Sequence, residues 1–298
     1  MSNVFDKLRA NGLIPSYPKF LESNIQSEVI MGSVAYGVAE DTSDLDVYGW
    51  CIPPKDYIFP HLRGEIVGFS KPGPGFEQFQ KHHIDAADET PPRQYDLTIF
   101  SIVKYFNLCM SCNPNMIDSL FVNRHCVLFS TPIAEMVREK RRIFLHRGAW
   151  HKYKGYSFAQ ATKMRTKKPE GKRKEQSEQF GYDLKYAYHI VRLLNEVEQI
   201  LTEGDLDLMR NAEQLKAIRR GEWTLEQVEA YFATKERELE SVYTNSKLPY
   251  GPDEPAIRDL LLSCLEHHYG NLERCVVRED AIVRTLRQVK EAVDGVNV

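Results

Sequence analysis

Apolar residues along this chain change their spacing near residue 148. Before it, short apolar runs are separated by turn-forming residues; after it, they recur every three or four positions. The first part predicts a helix over 5–13 and strands over 27–31 and 46–52, the second closed by Pro53-Pro54. Residues 54–92 are rich in Pro, Gly and His and read as a long excursion, with one further strand near 65–69. Residues 93–99 follow Pro91-Pro92 and read as extended. Helical spacing then runs over 98–112 (Ile99, Ile102, Val103, Phe106, Cys109) and stops at Asn113-Pro114. A short helix over 116–121, a strand over 126–129 and a helix opened by Thr131-Pro132 and running to about 145 complete this part. Beyond Gly148 strand patterns cease, and helices are predicted over 157–164, 182–201, 211–218, 225–242, 255–265 and 282–293. Strands followed by a run of helices imply an α+β unit over 1–148 and an all-α domain over 149–298.

Composition narrows the class. With 42% apolar and 27% charged residues the chain is that of a globular protein with ample core. Its formal net charge of −3 gives no global attraction to nucleic acid, so such binding would need a local basic patch. Six irregularly spaced cysteines do not suggest a disulfide framework. With no apolar N-terminal leader and no run near 20 apolar residues, the expected setting is the cytoplasm, with reduced thiols and no membrane contact.

The candidate chemistry sits early. The apolar run Val29-Ile30-Met31 ends in Gly32-Ser33, and ten residues later comes Ser43-Asp44-Leu45-Asp46-Val47-Tyr48-Gly49. On a strand, Asp44 and Asp46 project from the same face and repel each other unless a cation lies between them. Hard carboxylate oxygens suit Mg²⁺, which usually takes one or two carboxylates plus substrate phosphates. A Gly-Ser turn offers backbone N–H groups and a hydroxyl to a phosphate, and Gly permits close approach. Taken singly, residues 40–44 read as a polar turn.

In this order the elements resemble the DNA polymerase β-type nucleotidyltransferase superfamily. The resemblance implies a catalytic domain built on a mixed sheet, an NTP substrate and two Mg²⁺ or Mn²⁺ ions. It also implies a third carboxylate from a later strand, and Asp96 in the extended segment 93–99 fits, ahead of Asp85, Asp88 and Glu89 in a polar stretch. Asp96 could instead cap the following helix. On this reading Asp44, Asp46 and Asp96 are catalytic and metal-binding, and Gly32 and Ser33 contact the nucleotide. Asn113-Pro114, Asp118, Leu120-Phe121, Arg147, Lys154-Gly155-Tyr156, Lys185 and His189-Ile190-Val191-Arg192-Leu193-Leu194 follow in the order of the polymerase β-like family associated with bacterial and phage RNA-repair genes. That closer resemblance implies an RNA end as acceptor.

The helical part adds two basic features. Lys185, His189 and Arg192 stand at i, i+4 and i+7, one face of a helix, and could bind triphosphate or an RNA backbone; a solvated polar face is the alternative. Lys163, Arg165, Lys167, Lys168, Lys172, Arg173 and Lys174 surround Pro169-Glu170-Gly171 and read as a basic loop. Lys167, Lys168, Lys172, Arg173 and Lys174 are its candidate RNA contacts. Tyr153, Tyr156, Tyr182, Tyr186 and Tyr188 could stack bases, although helix-spaced tyrosines more often pack. Cys109-x-x-Cys112 has zinc-like spacing but no second pair, so zinc is not expected. The His82-His83 and His267-His268 pairs read as surface or loop residues. The function implied is metal-dependent transfer of an NMP from an NTP to an RNA end, with release of pyrophosphate. A protein or small-molecule acceptor, or a non-catalytic RNA-binding module, are the alternatives.

Overall fold

Strict alternation along two segments builds the centre of the molecule. A computed structural model describes residues 3–39, 44–59, 75–168 and 171–270. Its sheet contains β1 (Ile25–Ile30), β2 (Leu45–Cys51), β3 (Gln78–Ala86), β4 (Arg93–Ser101) and β5 (Val127–Ser130), in the order β3-β4-β2-β1-β5. The pair β2–β4 is parallel, and the β1–β2, β1–β5 and β3–β4 pairs are antiparallel, so the sheet is mixed. In β2 and β4 the odd-numbered residues Leu45, Val47, Cys51, Tyr95, Leu97 and Ile99 enter one apolar cluster. Helix α1 (Val4–Ala10) covers it through Phe5 and Leu8, and α2 (Leu21–Asn24) through Leu21. Even-numbered positions face the other way, and there Trp50 and Phe100 join the larger cluster that reaches into the helices. Asp46 and Asp96 lie on this second face.

Helix α3 (Gly32–Ala35) follows β1, and α4 (Lys55–Ile58) follows β2. Strand β4 runs to Ser101, whose side chain caps α5 (Ile102–Met110) by accepting the Lys104 N–H at 3.2 Å. The helix predicted from 98 therefore starts four residues late, because Thr98–Ser101 pair with β2 first. Asn113 caps α6 (Pro114–Phe121), and Thr131 caps α7 (Pro132–Glu139). Then come α8 (Ala149–Thr166), α9 (Lys172–Phe180), α10 (Leu184–Glu203), α11 (Ala212–Arg219), α12 (Leu225–Asn245) and α13 (Glu254–Tyr269). Helix α8 also begins eight residues before the helix expected over 157–164, and two further elements depart from expectation. Strand β3 lies within the supposed 54–92 excursion, and α9 occupies the second half of the supposed basic loop. The strand expected near 65–69 and the helix over 282–293 lie outside the described residues.

α10 is the axle of the helical part, buried along most of its length and packed against α8, α11 and α12. Trp150 and Tyr153 of α8 are fully buried in the same cluster as Val29 and Trp50 of the sheet. Full burial of such a side chain contributes about 1.5–3 kcal/mol. The chain turns all-helical at Gly148, yet this one apolar cluster runs across that point, and α13 packs back on α5 and α7. Among the described residues no helix is long and apolar enough to cross a membrane.

Candidate active site

The parallel register of β2 on β4 puts Asp46 opposite Asp96. Both side chains are half-buried and face the helical part, while Asp44 stands exposed one residue before β2. Burial raises the pKa of Asp46 above the usual carboxylate range, and the neighbouring charge of Asp96, with a smaller effect from Asp44, raises it further; Lys185 and His82 act in the opposite sense. Two carboxylates are thus held together at an energetic cost that a bound cation would remove. The sequence-predicted Asp44, Asp96 and Lys185 are all within electrostatic reach of Asp46.

Gly32 closes the site from the β1 side. Its φ is +64°, and a Cβ there would run into the Asp46 carboxylate, so only Gly fits without displacing that group. The turn is tied to β2 by the Met31 N–H, which donates to the Asp46 carbonyl at 2.7 Å. Ser33 follows in the first turn of α3.

Among the described residues no group of three His, Cys, Asp or Glu side chains is already arranged to hold a metal ion by itself. An ion held by Asp46 and Asp96 would therefore leave much of its coordination to other ligands. That suits Mg²⁺ or Mn²⁺ sharing substrate phosphates, and it suits a closed structural metal centre poorly.

The Lys185, His189, Arg192 stripe does not act as a unit. Lys185 is exposed near the acidic pair. His189 is half-buried; burial, then the charges of Arg192, Lys185, Arg173 and Arg219, pushes its pKa well below the ordinary histidine value and keeps it neutral. Arg192 turns inward. Its Nη1 lies 2.5 Å from Asp118 Oδ2, 2.7 Å from the Tyr36 hydroxyl and 2.9 Å from Glu196 Oε1, with all four residues buried. The Tyr36 hydroxyl also donates to Asp118 Oδ2 at 2.6 Å. The expectation that Arg192 faces a ligand thus gives way to an interior role: it ties the end of α3 to α6 and α10. A seven-residue offset gives the same helix face, but the face at Arg192 is already covered by Tyr36 and α6.

The basic stretch is also divided. Lys167 and Lys168 are exposed just past α8, and Lys174 is exposed on α9, 3.8 Å from Glu178. Arg173 is anchored, its Nη2 donating to Asp183 Oδ2 at 2.6 Å and its guanidinium lying over Tyr186. The Lys172 side chain lies outside the described residues. Tyr153, Tyr182, Tyr186 and Tyr188 are buried; only Tyr156 of the five is exposed, and it accepts from Asn113 Nδ2 at 3.0 Å. Arg147 donates to the Leu248 carbonyl and Lys154 pairs with Glu236 and Glu240, so both staple α8 to the chain around α12. Cys109 and Cys112 are core residues.

His82 and His83 are exposed, as the sequence suggests, but their position beside the acidic pair was not foreseen. Both stand on β3 beside Asp96: the His83 N–H donates to Asp96 Oδ1 at 2.8 Å, and His82 Nδ1 is 3.3 Å from Oδ2. Their placement depends on a strand pairing that no local pattern announced.

The RNA repair pathway DNA polymerase beta family matches over residues 22–289. No curated protein is significantly similar to the chain. Among solved structures, a nucleotidyltransferase-like protein from Exiguobacterium sibiricum 255-15 aligns at 11% identity, over 88% of this chain and 72% of that one, with a TM-score of 0.30.

Proposed function

The chain belongs to the RNA repair pathway DNA polymerase beta family, and on that premise we propose that it transfers a nucleoside monophosphate from an NTP to a hydroxyl at an RNA end, releasing pyrophosphate. The observation that carries this reading is the pairing of Asp46 with Asp96 on one face of the sheet, with Gly32 packed against the Asp46 carboxylate. Asp44, Asp46 and Asp96 would hold two Mg²⁺ or Mn²⁺ ions, which when bound neutralise the triphosphate and lower the pKa of the acceptor hydroxyl.

The protein's own part is positioning. The Gly32-Ser33 turn offers N–H groups and the Ser33 hydroxyl to the phosphates beside Asp46. Lys185 brings a point charge to the same cleft and stabilises the departing pyrophosphate. His189, held neutral, serves as a hydrogen-bonding group and not as a cation. Arg192, Asp118 and Tyr36 fix the end of the Gly-Ser segment against the helices, which keeps its donors aligned. Exposed Lys167, Lys168 and Lys174, with Lys172 by sequence, form the surface for the phosphates of an RNA acceptor. An RNA is favoured because these charges exceed what a triphosphate requires.

Label from each α-labelled NTP, offered with Mg²⁺ or Mn²⁺ to total RNA, cell protein and small molecules, tests the reading. Label is expected in RNA with wild-type protein and not with Asp46→Asn. Label in protein or in small molecules would replace the acceptor. Binding of RNA without label in any fraction would favour a non-catalytic module.

A further inference from the structure

Strand β3 carries a β-bulge at the place where it meets Asp96. Lys81 pairs with Leu97 and Ile84 with Tyr95, so two residues, His82 and His83, stand opposite Asp96 alone. The extra residue bends the backbone into a rarely used conformation: His83 has φ +52°, one of two non-glycine residues with positive φ among those described. Such a conformation is disfavoured for a residue with a side chain and persists only where the surroundings hold it.

What holds it is the candidate third carboxylate. A bulge takes one N–H out of the strand ladder, and the His83 N–H is met by Asp96 Oδ1 at 2.8 Å. His82 Nδ1 lies 3.3 Å from the other oxygen, Oδ2. On the far side of that ring, Gln80 Nε2 is 2.6 Å from Nε2. A Gln80 amide that donates there leaves the ring proton on Nδ1, facing Asp96. The His83 ring is held apart from the site, its Nδ1 3.3 Å from Gln94 Oε1. Each Asp96 oxygen thus has one contact from the bulge.

We propose that this two-histidine bulge is a clamp for the third metal-binding carboxylate, with His82 as a positioning residue that orients Asp96 toward a divalent cation. The proposal rests on the reading of Asp96 as a metal ligand. Ligating carboxylates are ordinarily oriented by hydrogen bonds from surrounding groups, and loss of such a partner weakens metal affinity by about 10- to 100-fold. His82 suits that role because its side chain is half exposed and fills no core. Without it, Asp96 keeps one anchor, the His83 N–H, and is free to rotate about it.

The test is Mn²⁺ binding to the full chain, followed by the electron paramagnetic resonance signal of free Mn²⁺, for wild type, His82→Ala, His82→Asn and Asp46→Asn. Thermal melts of the same samples report folding. The clamp predicts about 10- to 100-fold weaker Mn²⁺ binding in His82→Ala at an unchanged melting temperature. It predicts substantial recovery in His82→Asn, whose amide N–H can reach Asp96. Wild-type affinity in His82→Ala, with binding lost in Asp46→Asn, would overturn the clamp and leave the metal site standing. Equal loss in His82→Ala and His82→Asn would also overturn it. No Mn²⁺ bound by wild type would remove the clamp together with the metal reading beneath it.

Discussion

At the scale of single residues, the site sets charge against burial. Asp46 is held beside Asp96 although burial and that neighbour both disfavour its ionised form. Asp46→Asn is therefore expected to cut turnover by at least about 10²-fold. It should leave the melting temperature of the metal-free protein at neutral pH equal to or above wild type; a large drop in melting temperature would show that the carboxylate is structural. Glu28 offers a second case away from the site. It is fully buried in β1 and accepts the Val4 and Phe5 N–H groups at the start of α1. Burial, only partly offset by those two hydrogen bonds, raises its pKa from 4.5 to about 7. A carboxyl whose folded pKa is raised stabilises the fold fully below its unfolded value, and that contribution is lost as pH rises through the folded one. Denaturant titrations should therefore show stability falling by about 3 kcal/mol between pH 4.5 and 7 from this group. Glu28→Gln should flatten that slope.

At the scale of elements, two devices join the sheet to the helices. The first is the turn from β1 into α3. Gly32→Ala combines a positive φ with a Cβ directed at the Asp46 carboxylate, so it should lower stability by more than about 1 kcal/mol and abolish detectable label transfer. Wild-type activity in a folded Gly32→Ala protein would remove the turn from the site. The second device is the buried set Tyr36, Asp118, Arg192 and Glu196. Burial raises the pKa of Asp118 and of Glu196, and Arg192 opposes that rise in both. Arg192→Met leaves those acids without their cation and should cost about 3–5 kcal/mol in urea unfolding. Tyr36→Phe removes one hydroxyl and should cost about 1 kcal/mol. Equal effects from the two variants would show that the hydrogen bonds, and not the charge, hold these elements together.

At the scale of the molecule, a net charge of −3 means that any RNA must be gathered locally. Lys167 and Lys168 at the end of α8 and Lys174 on α9 place exposed positive charge on the helical part. RNA affinity should therefore fall as salt rises. A Lys167→Glu/Lys168→Glu protein should bind more weakly, with the slope of log affinity against log salt reduced by about 1.4. An unchanged slope would show that RNA phosphates do not reach these lysines.

The sequence by itself determined what is local. Alternation along 45–51 fixed the faces of β2 before any partner was known, and it put Asp46 opposite in facing to Leu45 and Val47. Gly32 was legible because Gly-Ser closes an apolar run ahead of the Asp-x-Asp, where Gly permits close approach to a phosphate; its positive φ emerged only with the fold. Helices in the second half followed from three- and four-residue spacing. Tertiary structure decided what depends on partners distant in the chain. Asp96 faces Asp46 only because β4 pairs in parallel with β2. The extent of β4 to Ser101 was set by that pairing against a helical pattern beginning at 98. Strand β3 has a polar outer face and gains its conformation from β4, so its residues gave no strand pattern alone. Arg192 matched a surface stripe in spacing and was drawn inward by Asp118 and Tyr36, 74 and 156 residues away. His82 and His83 are the surface histidines that the sequence suggests, and only the pairing with β4 sets them beside Asp96. Periodicity records which face of an element is apolar; only the packed fold decides what lies against it.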